Sequence, residues 1–261
     1  MKRPAGGSAS RQLLALGRRS LPPEIVIGSQ RYGLLRVLKH DFFAATGLYG
    51  GPSGAVVLKL GREQEFLGLP LRWLGRYLIQ HEAAVYEQVS GLEGVPRFLG
   101  RWSDNGLLHE YVEGHPLDHK ERVDDQFFDR LEELLGQLHS RSVAYVDLNK
   151  RENIIVGQDG RPYLIDFQIS LRWPQRWGPP PGPARWVLKM LQRADRYHLA
   201  KHVRRHRPDL IRPEHLVMSQ RAATLIRLHR WSAAPFTRLR RHTLRRIARA
   251  TGQADGRTSG D

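Results

Sequence analysis

Short apolar runs separated by glycine and polar turns dominate the first hundred residues, and three- and four-residue apolar spacing takes over further on. Ile25 to Ile27 and Tyr32 to Leu38 read as strands. Phe42 to Tyr49, the turn Gly50 to Gly54 and Ala55 to Leu60 read as a hairpin, since two β-favouring runs flank a glycine-rich turn. Leu71, Leu74, Leu78, Val85 and Val89 recur at helical spacing and predict a helix over Leu69 to Val89. Arg97 to Trp102 and Leu107 to Val112, split by a polar turn, read as two further strands. Asp125 to His139 is an amphipathic helix carrying Phe128, Leu131, Leu134, Leu135 and Leu138, with Asp124 or Asp125 placed to cap it. Ile154 to Val156 and Tyr163 to Ile165 flank the turn GQDG as a short hairpin. Pro179 to Pro183 reads as a rigid turn outside any helix, and Arg185 to His206 as a basic helix. The expected class is α+β.

The chain has 261 residues, which suits one large domain or two lobes around a cleft. Hydrophobic residues make up 40%, enough for a core, and the absence of cysteine excludes disulfides and thiolate metal sites. A net charge of +16 points to anionic partners: nucleotide phosphates, nucleic acid or an acidic membrane surface. No run of 18 apolar residues occurs, so no transmembrane helix is expected. Residues 1–21 read as a mobile leader and 251–261 as a disordered tail. Between Lys201 and Ala250, one lysine and thirteen arginines face two acids, and apolar residues interleave with them. Around Arg221 to Arg249 that pattern fits an anionic membrane surface, a solvated basic helix on the preceding domain, or, less well, nucleic acid.

The chemistry concentrates between Tyr145 and Phe167. A loop carries Asp147 and Asn153, the short hairpin follows, and Asp166 stands at its exit. The hairpin brings three oxygen-bearing side chains together. Phosphoryl transfer needs such a set: one carboxylate to accept a hydroxyl proton, and an amide and a second acid to hold magnesium against phosphates.

Y-V-D-L-N-K-R-E-N and D-F-Q resemble the H-R-D-L-x-x-x-N and D-F-G signatures of the protein-kinase-like superfamily. The resemblance runs from about Tyr32 to Asp209 and implies a two-lobed fold. A small antiparallel sheet with one helix (22–109) would precede a mainly helical lobe (110–250). It further implies ATP and Mg2+ between the lobes, with Asp147 as catalytic acceptor of the hydroxyl proton and Asn153 and Asp166 as metal ligands. Ala55-Val56-Val57-Leu58-Lys59 resembles the strand whose lysine grips the phosphates. Glu82, rather than Glu87, resembles the helix acid that aims that lysine. LLHEYVEG resembles the strand between lobes, so the backbone groups of Glu110 and Val112 would bind adenine, with His109 beside them as a packed residue.

The pattern also departs from ordinary protein kinases. LRVLKHDFF, between Leu35 and Phe43, has no glycine; the amides of His40 to Phe43 would cover phosphates, helped by Lys39 or His40. Asp147 and Asn153 lie six positions apart instead of five, which makes Asn149 a second metal candidate. Tyr145 replaces the usual histidine as a scaffold, and Gln168 replaces glycine and should hold that segment in one state. No A-P-E follows. In these respects the chain is similar to small bacterial members such as lipopolysaccharide core-sugar kinases and RIO-type kinases, in which Asp195 would anchor the catalytic loop. The implied function is phosphoryl transfer from ATP to a hydroxyl of a small molecule or lipid-linked sugar, in the cytoplasm or peripherally at the inner membrane face. The alternatives are a serine/threonine protein kinase and a non-catalytic pseudokinase with a membrane- or RNA-binding tail.

Overall fold

Residues 14–66, 69–118 and 121–211 are described by the structure, a computed structural model. The tail around Arg221 to Arg249 and residues 251–261 lie outside them. An antiparallel sheet of six strands comes first: β1 (Glu24–Ile27), β2 (Gln30–His40), β3 (Ala44–Gly51), β4 (Gly54–Gly61), β5 (Phe98–Arg101) and β6 (Gly106–Glu110). Their order is β1-β2-β3-β4-β6-β5. β2 slips register against β3 twice, between Leu34 and Arg36 and between Val37 and Lys39, and such bulges curl a sheet. Helix α1 (Arg72–Gln88) crosses between β4 and β5 in sequence and packs on the sheet.

β4 shows why the sheet has two working faces. Leu58 and Leu60 turn into a cluster with Leu16, Tyr49 and Leu108, and strand alternation sends Lys59 to the opposite face, where α1 lies. The second cluster joins Ile79, Ala83 and Tyr86 of α1 to the later elements. These are β7 (Gly114–Pro116), α2 (Phe127–Ser140), β8 (Val143–Ala144), β9 (Ile154–Gly157), β10 (Pro162–Leu164), β11 (Leu171–Arg172) and α3 (Gly182–His206). The apolar stripe expected on α2 is buried throughout, from Phe128 to Leu138. The structure is α+β with few helices and a curled antiparallel sheet, an arrangement compatible with the smaller, sheet-bearing part of a kinase. Among the described residues no helix is long and apolar enough to cross a membrane.

Several boundaries depart from expectation. Residues 14–21, read as mobile leader, include buried Ala15 and Leu16 and donate an amide from Ala15 to Asp41 at 2.8 Å. An apolar pair beside arginines is a weak signal until the end of a sheet is there to receive it. α3 begins at Gly182, inside the proline cluster, because Pro183 in the first turn lacks only a hydrogen that has no helical partner there. β6 stops at Glu110, so Val112 follows the strand instead of ending it. Neither acid caps α2, which starts after Gln126; Asp124 accepts from the Gln126 amide at 2.7 Å, one residue before the helix, and Asp125 pairs with Arg207.

Gly75 lets α1 reach the sheet. A Cβ there would overlap the backbone carbonyl and amide of Arg62. Gly75→Ala should therefore destabilise by about 1–3 kcal/mol through overpacking, although the same change on an open helix face stabilises by up to ~1 kcal/mol. Urea unfolding would show a lowered midpoint; a raised midpoint would mean the helix can lift without loss.

Candidate active site

The loop that carries Asp147 is held from behind by α3. Asp195, wholly buried, accepts hydrogen bonds from the amides of Tyr145 (2.8 Å) and Val146 (2.7 Å), and from His139 Nε2 at 3.0 Å. Val146 has φ 70°, a left-handed conformation costly for a β-branched residue. The two amide bonds to one carboxylate offset that cost. Tyr145 donates through its hydroxyl to the Ile165 carbonyl and packs edge-on against Phe167 at 5.2 Å, so it links the loop to the exit of the hairpin. Ile165 also donates its amide to Asn153 O at 3.1 Å.

Two of the three oxygen-bearing residues are bonded to each other, and the charge of the third, Asp166, reaches Asp147. Asn153 Nδ2 donates to Asp147 Oδ2 at 2.9 Å. Asp166, at φ 60°, turns Oδ1 toward Lys59 Nζ, 2.7 Å away. Lys59 also reaches Glu82 of α1, at 2.7 Å to Oε2. Three distant parts of the chain thus converge on one ammonium. Glu87 faces elsewhere and pairs with Arg101 at 3.1 Å. The six-residue spacing from Asp147 to Asn153 closes through a 3₁₀ turn at Arg151–Asn153.

Burial and neighbours set the charges. Desolvation works against the Asp166 carboxylate, yet Lys59, with Lys39 and Lys150 behind it, brings its pKa down to about 2. Desolvation pushes Glu82 upward, and the nearby Asp166 adds to this against the pull of Lys59. Desolvation also opposes charge on Lys59, but the two carboxylates outweigh it and the lysine keeps its proton above its ordinary range. Asp147 is raised, first by burial and also by Asp166, while Lys150 at 2.6 Å opposes the rise. A carboxylate held somewhat more basic than usual suits proton acceptance.

Because the Asp166 pKa is depressed, its contribution to stability is complete above its unfolded value near 3.8 and is lost as pH falls through about 2. Between those limits the wild type should lose about 2 kcal/mol more unfolding free energy than Asp166→Asn. Denaturant titrations at stepped pH measure this difference. Parallel pH profiles would show that Lys59 does not hold the carboxylate.

An oxygen donor set of one amide and one carboxylate fits Mg2+, which takes few protein ligands and leaves positions for phosphates. Asn153, donating through Nδ2, keeps its carbonyl oxygen for such an ion, and Asp166 keeps Oδ2. At the end of β6, the Tyr111 amide is bound to Ala55 O and the Glu110 carbonyl lies 2.8 Å from His109 Nδ1. The Val112 amide has no partner among the described residues. His109 is buried and stacked on Tyr86 at 5.4 Å, and desolvation lowers its pKa to about 4, so it is neutral.

Two expected contributions are absent. The turn between β2 and β3 uses most of its own amides: Asp41 Oδ1 accepts from Phe43 (2.9 Å) and Ala44 (3.1 Å), and the Asp41 amide donates to Ala44 O. An aspartate followed by two open amides caps itself more readily than it waits for an anion. His40 faces the Leu16 amide at 3.2 Å, whereas Lys39 pairs with Asp41 and still acts on Asp166. Asn149 accepts from Lys201 at 2.9 Å, on the α3 side, and is not a metal candidate. Two contributors went unread in the sequence. Lys150 was legible as a cation three residues after an acid. Arg62, buried 4.0 Å over Phe42 and bonded to its carbonyl at 2.8 Å, carried no signal, since arginines are mostly exposed.

The chain is 27% identical over 107 residues to a probable casein kinase I homolog of Encephalitozoon cuniculi. The match covers 37% of this chain and 33% of that protein, so the chain spans about a third of the relative's length. No family model matches the chain. The likeness supports a protein-kinase-like relationship and nothing finer.

Proposed function

We propose that this chain is an ATP-dependent phosphotransferase with a two-lobed protein-kinase-like fold, 22–109 forming the smaller lobe and 110–250 the larger. The observation that carries the reading is the meeting at Lys59: β4, α1 and the hairpin exit supply the ammonium, Glu82 and Asp166, and the Asp147–Asn153 pair lies close enough to act on Asp166. In this reading Lys59, aimed by Glu82, holds the phosphates of ATP. Asn153 and Asp166 would hold Mg2+, which when bound neutralises charge on the transferred group. Asp147 orients the acceptor hydroxyl and takes its proton, with Lys150 beside it to offset phosphate charge. The backbone of Val112 and Glu110 would meet adenine. Most of the acceleration then comes from alignment and charge neutralisation, since the transition state needs little covalent help.

For the acceptor, a hydroxyl on a small molecule or lipid-linked sugar at the cytoplasmic membrane face fits the absent A-P-E segment better than a protein serine does. One observation favours a non-catalytic rival: the self-capped turn at Asp41 sets a carboxylate where phosphate-binding amides are needed. A thermal-shift titration separates the two. Ligand stabilisation grows as RT ln(1 + [L]/Kd), so the enzyme should melt higher in millimolar ATP with magnesium. An unchanged melting temperature would sink the phosphotransfer reading.

A further inference from the structure

Between Asp166 and Asp209 the chain carries ten lysines and arginines and one acid, Asp195, which is fully buried under the Asp147 loop. Arg207 is buried against Asp125 and Asp209, and the remaining nine cations leave the surface of this stretch without an exposed acid. Three of the chain's six tryptophans lie in it. Trp177 and Trp186 are 60% and 62% exposed. Trp173 meets Trp177 edge-on at 5.5 Å and donates to Gly178 O at 2.9 Å, and the Arg176 guanidinium sits 5.9 Å over the Trp177 ring.

On α3 the pattern resolves into a stripe. At 100° per residue, Arg185, Trp186, Lys189, Arg193 and Arg196 fall within an arc of about 100°, and all five are exposed. Leu188, Asp195 and Leu199 occupy the buried side. Tryptophan among lysines and arginines is the composition that bilayer interfaces take up: an amphipathic ring at headgroup depth, with cations beside anionic lipid. Nucleic acid fits less well. Across the loop 173–177 and the α3 stripe, Gln175 is the one amide side chain and no hydroxyl accompanies it to meet base edges.

We propose that this face, the loop 173–177 together with the exposed stripe of α3, docks on an anionic lipid bilayer. β11, at the start of the segment, pairs with β8, and β8 leads directly into the Asp147 loop. Ser170 Oγ donates to Tyr145 O at 3.0 Å, a second tie between segment and loop. A bilayer docked here lies beside the acceptor side of the candidate site. The inference thereby deepens the proposed reading, giving a lipid-linked hydroxyl a route to Asp147.

The test uses the full chain without nucleotide, so that lipid binding and phosphotransfer fail separately. Sedimentation with phosphatidylcholine vesicles, with and without phosphatidylglycerol, should pellet the protein only when the anionic lipid is present. Each basic residue near an anionic leaflet contributes ~1 kcal/mol, or about fivefold in affinity. Arg176→Gln with Arg185→Gln should thus weaken binding about thirtyfold at low salt. Trp177→Ser with Trp186→Ser should weaken it too and remove most of the tryptophan quenching by brominated lipid. All four side chains are exposed, and a circular-dichroism melt matching the wild type verifies the fold of each variant. Equal pelleting of wild type and both variants would overturn the proposal, as would equal binding to neutral vesicles. So would weakened retention of single-stranded RNA with vesicle binding unchanged.

Discussion

Asp147→Asn should lower the rate of phosphate transfer by about 10²- to 10⁴-fold, the range a positioned proton acceptor contributes. The amide keeps the shape of the carboxylate and can still accept from Asn153 Nδ2, now 2.9 Å from Asp147. The lost property is the ability to take a proton. ATP binding, measured by thermal shift, should stay close to wild type, because Lys59, Glu82 and Asp166 are untouched. Single-turnover kinetics with ATP and magnesium make the comparison. Undiminished turnover would remove Asp147 from the mechanism, and an equal loss of ATP affinity would make its role structural.

The largest loss of stability is expected at Asp195. Asp195→Ala leaves two buried amides and the His139 ring without their acceptor. A buried donor without a partner costs about 1–3 kcal/mol, and three donors lose one shared acceptor here. We expect a loss of about 3 kcal/mol or more by urea unfolding. The left-handed Val146 would then relax, taking Asp147 with it, so activity at temperatures where the variant remains folded should fall as well. Asp195→Asn, which retains one acceptor oxygen, should lose less on both counts. Equal and small losses in the two variants would mean that the loop holds its shape without α3.

The strands of the six-stranded sheet, the hairpin β9–β10 and the two amphipathic helices were legible in the sequence, for one reason, whereas the short strands β7, β8 and β11 were not. Each rests on local spacing: alternation in β4, three- and four-residue steps in α2, and a hairpin short enough to fold on itself. Glu82 could be preferred to Glu87 on resemblance, but only α1 seated on the sheet turns Glu82 toward Lys59 and Glu87 toward Arg101. The readings that failed concern groups whose partners lie far away in sequence or compete locally. Asn149 was free to approach a metal until α3 brought Lys201 to it. The Phe43 amide was open to phosphate until the Asp41 side chain took it.

Composition and periodicity by themselves determined an α+β chain, strongly basic and thiol-free, with an acid–amide–acid set around one hairpin. Tertiary structure alone decided that Lys59 and Asp166, 107 residues apart, share one salt bridge. It likewise decided that Asp195 holds the loop from behind and that Ala15 and Leu16 pack at one end of the sheet. The physical reason is that a side chain's spacing is written locally. Its charge state and direction depend on which distant groups share its buried, water-poor surroundings, and those are brought together only when the chain closes.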